Sequence, residues 1–352
     1  DAAPKSNFNE DTLEPPKQLS DQSVAIFTID VRSHKTPWNT QGEMDDYEGD
    51  FLGEKQWQWL ETALSRSTAA VNVVVSGLQV HTDRFINGKI AEEWSRFPVA
   101  QHRLFQALLQ PNVQAPLIVS GDVHMGEFLR RDCQTITSTT SSSAAIPSST
   151  HHRRTLVEMT TSGMTHSWGT NFCSRPEKWN PVCHVGYLQS VLSMAMHWAH
   201  NNGAWQELLH HDDNSPAYTL QKNFGEFELD REERPVTTRL IGLKGKYLQE
   251  RTWSLNALSG METFGHSRDL TDTHFNESAY SLREMGGEHA SHWDDYYCLP
   301  YRGPQTLEQK YYGFLSSFFL IVLGVIFPIL LPLLIARCWL RTTSHSRKFK
   351  VD

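Results

Sequence analysis

The sequence predicts an α/β fold built on a largely parallel sheet. Three apolar runs with the character of buried strands, at residues 23–30, 71–80 and 115–124, alternate with two segments that carry apolar residues at helical spacing. Parallel neighbours need a crossover connection, so this alternation favours parallel strands covered by helices. The chain has 352 residues, of which 39% are hydrophobic, so it is long enough to form a sizeable buried core.

The two helical segments lie between successive strands. Residues 52–67 place Trp57, Leu60 and Leu64 on one face of a helix, and residues 98–110 form a second apolar-periodic segment that opens with a proline. Each segment is therefore expected to pack its apolar face on the sheet.

Further along the chain, residues 155–168 have the pattern of another buried strand, which ends in Ser-Gly and a histidine. Residues 218–255 alternate apolar and polar side chains between turn signals, which is typical of an antiparallel meander. The folded domain is predicted over residues 23–256. Residues 1–22 are interpreted as a linker or tail, and the polar, irregular residues 257–312 as a membrane-proximal stalk.

Residues 313–336 predict a transmembrane helix. They contain no charged side chain, and at about 1.5 Å per residue they are long enough to cross about 30 Å of hydrocarbon. Basic residues cluster in the tail, 337–352, so the positive-inside bias predicts a single-pass membrane protein with a cytoplasmic C-terminus and a luminal or extracellular domain. The Ser/Thr-rich residues 135–149 predict a surface loop.

Charge and cysteine content restrict the class of partner and the compartment. A formal net charge of -8 offers no general attraction to nucleic-acid phosphates, so no nucleic-acid binding is expected. Four cysteines, Cys133, Cys173, Cys183 and Cys298, are candidates for two disulfides, with three possible connectivities. Asn276 in "FNES" is a predicted glycosylation site.

Polar side chains follow the predicted strands, where functional groups collect in α/β proteins. Asp122 and His124 in "SGDVHMGEF" are candidate metal ligands, or an aspartate that caps a following helix beside a structural histidine. Arg32 is a candidate phosphate-binding residue, or a partner of Asp30 in a buried ion pair. His166 is a candidate catalytic histidine, or a hydrogen-bonded structural one.

Ordered sequence blocks carry a family resemblance. The blocks "IFTIDVRSHK", "DFLGEKQWQWLETAL", "IVSGDVHMGEF", "LVEMTTSGMTHSW" and "NFGEFELD" resemble, in order and spacing, the PhoD-like (alkaline phosphatase D) branch of the metallophosphoesterases. This resemblance implies a four-layer α/β/β/α sandwich that hydrolyses phosphoesters at a two-metal centre with calcium and iron. The family's Gly-Asp-x-His block supplies metal ligands, which here fall on Asp122 and His124.

The chain also departs from the family pattern. Relatives carry further ligand blocks before the equivalent of "IFTIDVRSHK", whereas none precedes Ser23. The sequence therefore predicts the C-terminal part of a membrane-anchored, metal-dependent phosphoester hydrolase, with little turnover expected from these residues alone. The alternative is a non-catalytic, membrane-tethered binding module derived from a phosphatase fold.

Overall fold

The structure is a computed structural model of the 352-residue chain. It describes residues 23–37, 49–82, 92–135, 153–169, 191, 193–195, 197–198, 217–230, 235–260, 296–300 and 307–348.

A mixed sheet forms the centre of the molecule. Its strands are β1 (Val24–Thr28), β2 (Val71–Val75), β3 (Pro116–Ser120), β4 (Gly126–Thr135), β5 (Arg153–Thr161), β6 (Tyr218–Thr219) and β10 (Tyr296–Pro300). The order is β1-β2-β3-β5-β4-β10, and β6 pairs with β4. β1, β2, β3 and β5 are parallel, whereas β4 is antiparallel to its neighbours. The predicted parallel arrangement of the first strands is thus confirmed.

Two helices cover one face of this sheet. They are α1 (Glu54–Ser65), which buries Trp57, Leu60 and Leu64 as its periodicity predicts, and α2 (Pro98–Leu108). Successive strand residues point to opposite faces, so Val74 and Ile118 pack with these helices in one apolar cluster.

A second, antiparallel sheet covers the other face. It contains β7 (Asn223–Leu229), β8 (Pro235–Gly242) and β9 (Tyr247–Ser254), followed by the short helix α3 (Leu255–Leu258), which confirms the predicted meander. Val73 and Leu117, the neighbours of the helix-facing residues, pack against Leu240 and Trp253 of the meander. One helical layer and two stacked sheets are therefore present.

Two strands were not expected from the sequence. β4 follows the Asp122–His124 turn directly, so no helix begins there for Asp122 to cap. β10 lies within the segment interpreted as a stalk, yet it pairs with β4 and extends the central sheet. A disulfide joins Cys133 to Cys298 across this pair. Cys173 and Cys183 lie outside the described residues, as does Asn276.

The predicted transmembrane helix is not supported. Residues 313–336 lie inside the longer helix α4 (Leu307–Lys348), which packs in part on the chain itself, since the Trp198 indole donates to Ser316 Oγ at 3.1 Å. Among the residues that the structure describes, no helix combines the length and the apolar character needed to cross a membrane.

Candidate functional site

The parallel strands end together at one edge of the central sheet. Backbone bonds link the strand ends, from Ile29 N to Val75 O at 3.0 Å and from Ser76 N to Val119 O at 2.8 Å. Parallel strands bring their carboxyl ends to the same edge. The residues that follow β1, β3 and β5 are therefore brought close to one another there.

Asp122 and His124 lie in a strained turn between β3 and β4. Both have positive φ, 75° for Asp122 and 58° for His124. Left-handed backbone at a non-glycine residue costs on the order of 1–3 kcal/mol and persists where the surroundings hold it. Each side chain is exposed, so the strain presents a carboxylate and an imidazole to solvent at the strand ends.

The segment after β5 holds this turn in place. Trp168 donates from its indole Nε1 to Val123 O at 2.7 Å and from its backbone N to His124 O at 3.2 Å. Ser162 Oγ accepts from Met125 N at 3.3 Å. These bonds explain how the left-handed backbone at Asp122 and at His124 is maintained.

His166 lies beside His124. The two rings are stacked, with centroids 5.8 Å apart and planes at 28°. His166 is exposed, and its Nδ1 lies 3.1 Å from Thr165 Oγ1. Two imidazole rings thus share one side of the turn.

Arg32 reaches the same edge from β1. Its NH1 lies 3.2 Å from Glu92 Oε2 and its NH2 lies 3.8 Å from Asp122 Oδ1, while its side chain is 64% exposed. Lys35 also contacts Glu92 through Nζ. The buried ion pair with Asp30 that the sequence left open is not formed, and the guanidinium is accessible from solvent.

Asp30 shapes the turn that carries Arg32. Its Oδ1 accepts from Arg32 N at 2.8 Å and from Ser33 N at 3.1 Å. A side-chain hydrogen bond from Ser33, followed by these two backbone bonds, lowers the pKa of the Asp30 carboxyl to about 2. Asp30 is therefore a backbone acceptor that orients this loop.

Comparison with known proteins supports the family. The family model described as PhoD-like phosphatase matches residues 22–239. The chain belongs to the PhoD-like phosphatase family. A solved structure of PhoD is 12% identical, with a TM-score of 0.38, and the match covers 66% of this chain and 39% of that chain. No curated protein matches the sequence. That the chain is the C-terminal part of a phosphatase stays a prediction.

PhoD-like phosphatases depend on metal ions, and Asp122 and His124 are donors of a suitable kind. A carboxylate oxygen suits hard ions, and an imidazole nitrogen suits borderline ones. Within the described ranges, however, no group of three or more His, Cys, Asp or Glu side chains is arranged to hold a metal. The described donors fit in kind but not in number, so they hold a metal only together with further ligands.

A buried polar cluster lies directly beneath the strand ends, and the sequence did not indicate it. Glu158 of β5 is fully buried and accepts from Val80 N at 3.0 Å, from His81 N at 2.6 Å and from Ser120 Oγ. Ser120 comes two residues before Asp122. Glu158 thus ties the loop after β2 to the strand that leads into the candidate site.

Glu127 of β4 extends this cluster. It is also fully buried and accepts from Gln79 Nε2, which lies 2.8 Å from Thr160 Oγ1 as well. Thr160 Oγ1 in turn lies 2.9 Å from Ser120 Oγ, so the hydroxyls and the amide connect the two carboxyl groups. This network joins the loop after β2 to β3, β4 and β5.

The two buried ionisable groups in contact have opposite pKa perturbations. Burial raises the pKa of the Glu158 carboxyl to about 7, against the hydrogen bonds that it accepts, and Glu127 raises it further. Burial lowers the pKa of His81 well below its usual value, and Arg131 adds to that effect. His81 is therefore neutral, and the 3.9 Å between its Nδ1 and Glu158 Oε2 is not an ion pair.

Proposed function

We propose that this chain contributes to a phosphoester hydrolase site at the carboxyl edge of its central sheet. The strained turn that presents Asp122 and His124 beside Arg32 and His166 carries the proposal. Membership of the PhoD-like phosphatases supports phosphoester hydrolysis as the reaction. A phosphoester is therefore the proposed substrate.

Asp122 and His124 are proposed as metal ligands, with calcium and iron as the ions that the family resemblance implies. When bound, such ions polarise the phosphoryl group and lower the pKa of water. The chain's own contribution is to fix the two donors on one turn, where the bonds from Trp168 restrict their movement.

Arg32 is proposed to bind the phosphate oxygens. A guanidinium fork matches two phosphate oxygens, and this one is exposed and already lies 3.8 Å from Asp122. Its contact with Glu92 keeps the side chain near the strand ends. A phosphate dianion would compete with the Glu92 and Asp122 carboxylates for the N–H donors of Arg32.

His166 is proposed to move the proton that hydrolysis requires. Water adds to phosphorus, the bond from phosphorus to the alcohol oxygen breaks, and the leaving oxygen takes up a proton. The exposure of the His166 ring and its stacking on His124 support this role.

Metal content tests the proposal, because the sequence predicts little turnover from these residues alone. Asp122→Ala and His124→Ala should each lower bound metal at least about tenfold and lower any aryl-phosphate turnover by orders of magnitude, with little change in the thermal midpoint. His34→Ala removes another exposed histidine and is the matched control. A wild-type chain that binds no metal would instead favour the non-catalytic binding module.

A further inference from the structure

A cavity of about 390 Å³ lies between the central sheet and the meander. Its lining residues include Gly169, Tyr218, Gln221, Lys246, Tyr247 and Gln249. Sites for small organic ligands commonly start at about 300 Å³. The cavity is thus large enough for one ring-sized group with a substituent.

The lining favours a ligand that carries negative charge. None of the described lining residues is acidic, and Lys246 has no ion-pair partner in the part of the chain that the structure describes. Gln221 and Gln249 add carboxamide groups, each able to donate. Tyr247, 63% exposed, adds an aromatic surface.

A buried tyrosine forms part of one wall of the cavity. Tyr218 is 4% exposed, and its hydroxyl lies 2.9 Å from His197 Nδ1, which also contributes to the lining. Burial raises the pKa of Tyr218 to about 12, so its hydroxyl stays protonated at neutral pH. The tyrosine therefore presents a neutral polar group rather than a competing anion.

Backbone hydrogen bonds and strand pairing connect the wall of the cavity to the candidate site. Gly169 of its lining donates to Leu220 O at 2.7 Å, and the preceding Trp168 donates from its backbone N to His124 O. Thr219, also in the lining, pairs with Gly126, two residues after His124. Three residues of chain, at most about 11 Å when fully extended, separate Gly169 from His166.

We propose that this cavity binds the organic part of the phosphoester substrate, and that the organic part carries an anionic group recognised by Lys246. The proposal rests on the proposed function, since it places the phosphoryl group at Asp122, His124 and Arg32. The substrate class is then an ester of phosphate with a ring-sized alcohol that bears a carboxylate or a second phosphate.

Binding to the metal-free chain tests the cavity separately from catalysis. The probes are 4-hydroxybenzoate and phenol, followed by ligand-observed NMR titration. The carboxylate should tighten binding by about threefold to fivefold, as expected for one solvent-accessible ion pair. Lys246→Met should remove that preference, whereas Lys244→Met, an exposed lysine in the same turn that does not line the cavity, should retain it.

Equal affinity for the two probes, or equal losses in the two lysine variants, would overturn the proposal. The link to the candidate site is tested with 4-carboxyphenyl phosphate, whose affinity Arg32→Gln should reduce without changing that of 4-hydroxybenzoate. If Arg32→Gln changes neither, the cavity is not a subsite of this reaction. If the cavity binds its probes while Asp122→Ala leaves metal content unchanged, the proposed function fails and the cavity assignment loses its substrate.

Discussion

Replacing Glu158 with glutamine should flatten the pH dependence of the stability of this protein. The carboxyl is fully buried, and its pKa rises from the usual 4.5 to about 7 in the folded chain. At a pH between 4.5 and about 7, the Glu158 carboxyl holds a proton in the folded state and has released it in the unfolded state. The stabilising effect of that proton is fully present below about pH 4.5 and is lost as the pH rises through about 7.

The magnitude follows from the two pKa values. Each difference of one corresponds to about 1.4 kcal/mol, so a rise from 4.5 to about 7 corresponds to about 3 kcal/mol in full. About 2 kcal/mol of this stabilisation is lost when the pH is raised from 5.5 to 8.5. Over that pH change, the free energy of unfolding of the wild-type chain should fall by this amount relative to that of Glu158→Gln, because glutamine has no proton to release.

Urea denaturation of the two proteins at several pH values, with the disulfide intact, gives the free energies of unfolding. Glu158 accepts at both carboxylate oxygens, whereas glutamine has a single oxygen acceptor, so a pH-independent cost of about 1–3 kcal/mol is expected as well. His81 remains in both proteins, and its opposite effect below about pH 6.5 cancels in the difference. Glu226→Gln, on the exposed meander, controls for the loss of one negative charge.

The difference between the free-energy curves of wild type and Glu158→Gln decides the argument. A difference that is constant from pH 5.5 to pH 8.5 would show that Glu158 has the same charge in the folded and unfolded chain. The buried cluster would then have to include a compensating cation that the contacts of Glu158 do not show.

Two further outcomes follow from the contacts around the turn and the outer strands. Cys298→Ser should lower the free energy of unfolding by up to about 5 kcal/mol, because the disulfide to Cys133 closes a loop with a sequence separation of 165. Urea denaturation with and without reductant measures this loss. Trp168→Phe removes the donor to Val123 O and should cost about 1 kcal/mol of stability. The same variant should reduce bound metal more than a core substitution of equal cost, which metal analysis would show.

The parts of the fold that the sequence predicted depend on local patterns. Apolar runs define β1, β2, β3 and β5, and the spacing of Trp57, Leu60 and Leu64 defines the buried face of α1. The position of Asp122 and His124 at a strand end follows from the same patterns. How they are used in chemistry stays a prediction, because no ligand role is visible in the described contacts.

The parts that the sequence did not predict depend on distant partners. β4 contains the charged residues Glu127, Arg130 and Asp132, so its sequence does not have the pattern of a buried strand. In the fold, Arg130 pairs with Asp132 at 2.9 Å, and Glu127 accepts from Gln79, 48 positions away in the sequence. β10 is a short strand in a polar region and is defined by its pairing with β4. Burial of a charged side chain becomes predictable only when its partner is known.

The disulfide between β4 and β10 also determines how the protein would respond to a protease. A single cut at any position between Cys133 and Cys298 leaves two fragments that remain covalently joined. The nicked protein would migrate as one species on a non-reducing gel and as two on a reducing gel. Limited proteolysis could therefore divide the long connection between these strands without releasing β10 from the sheet.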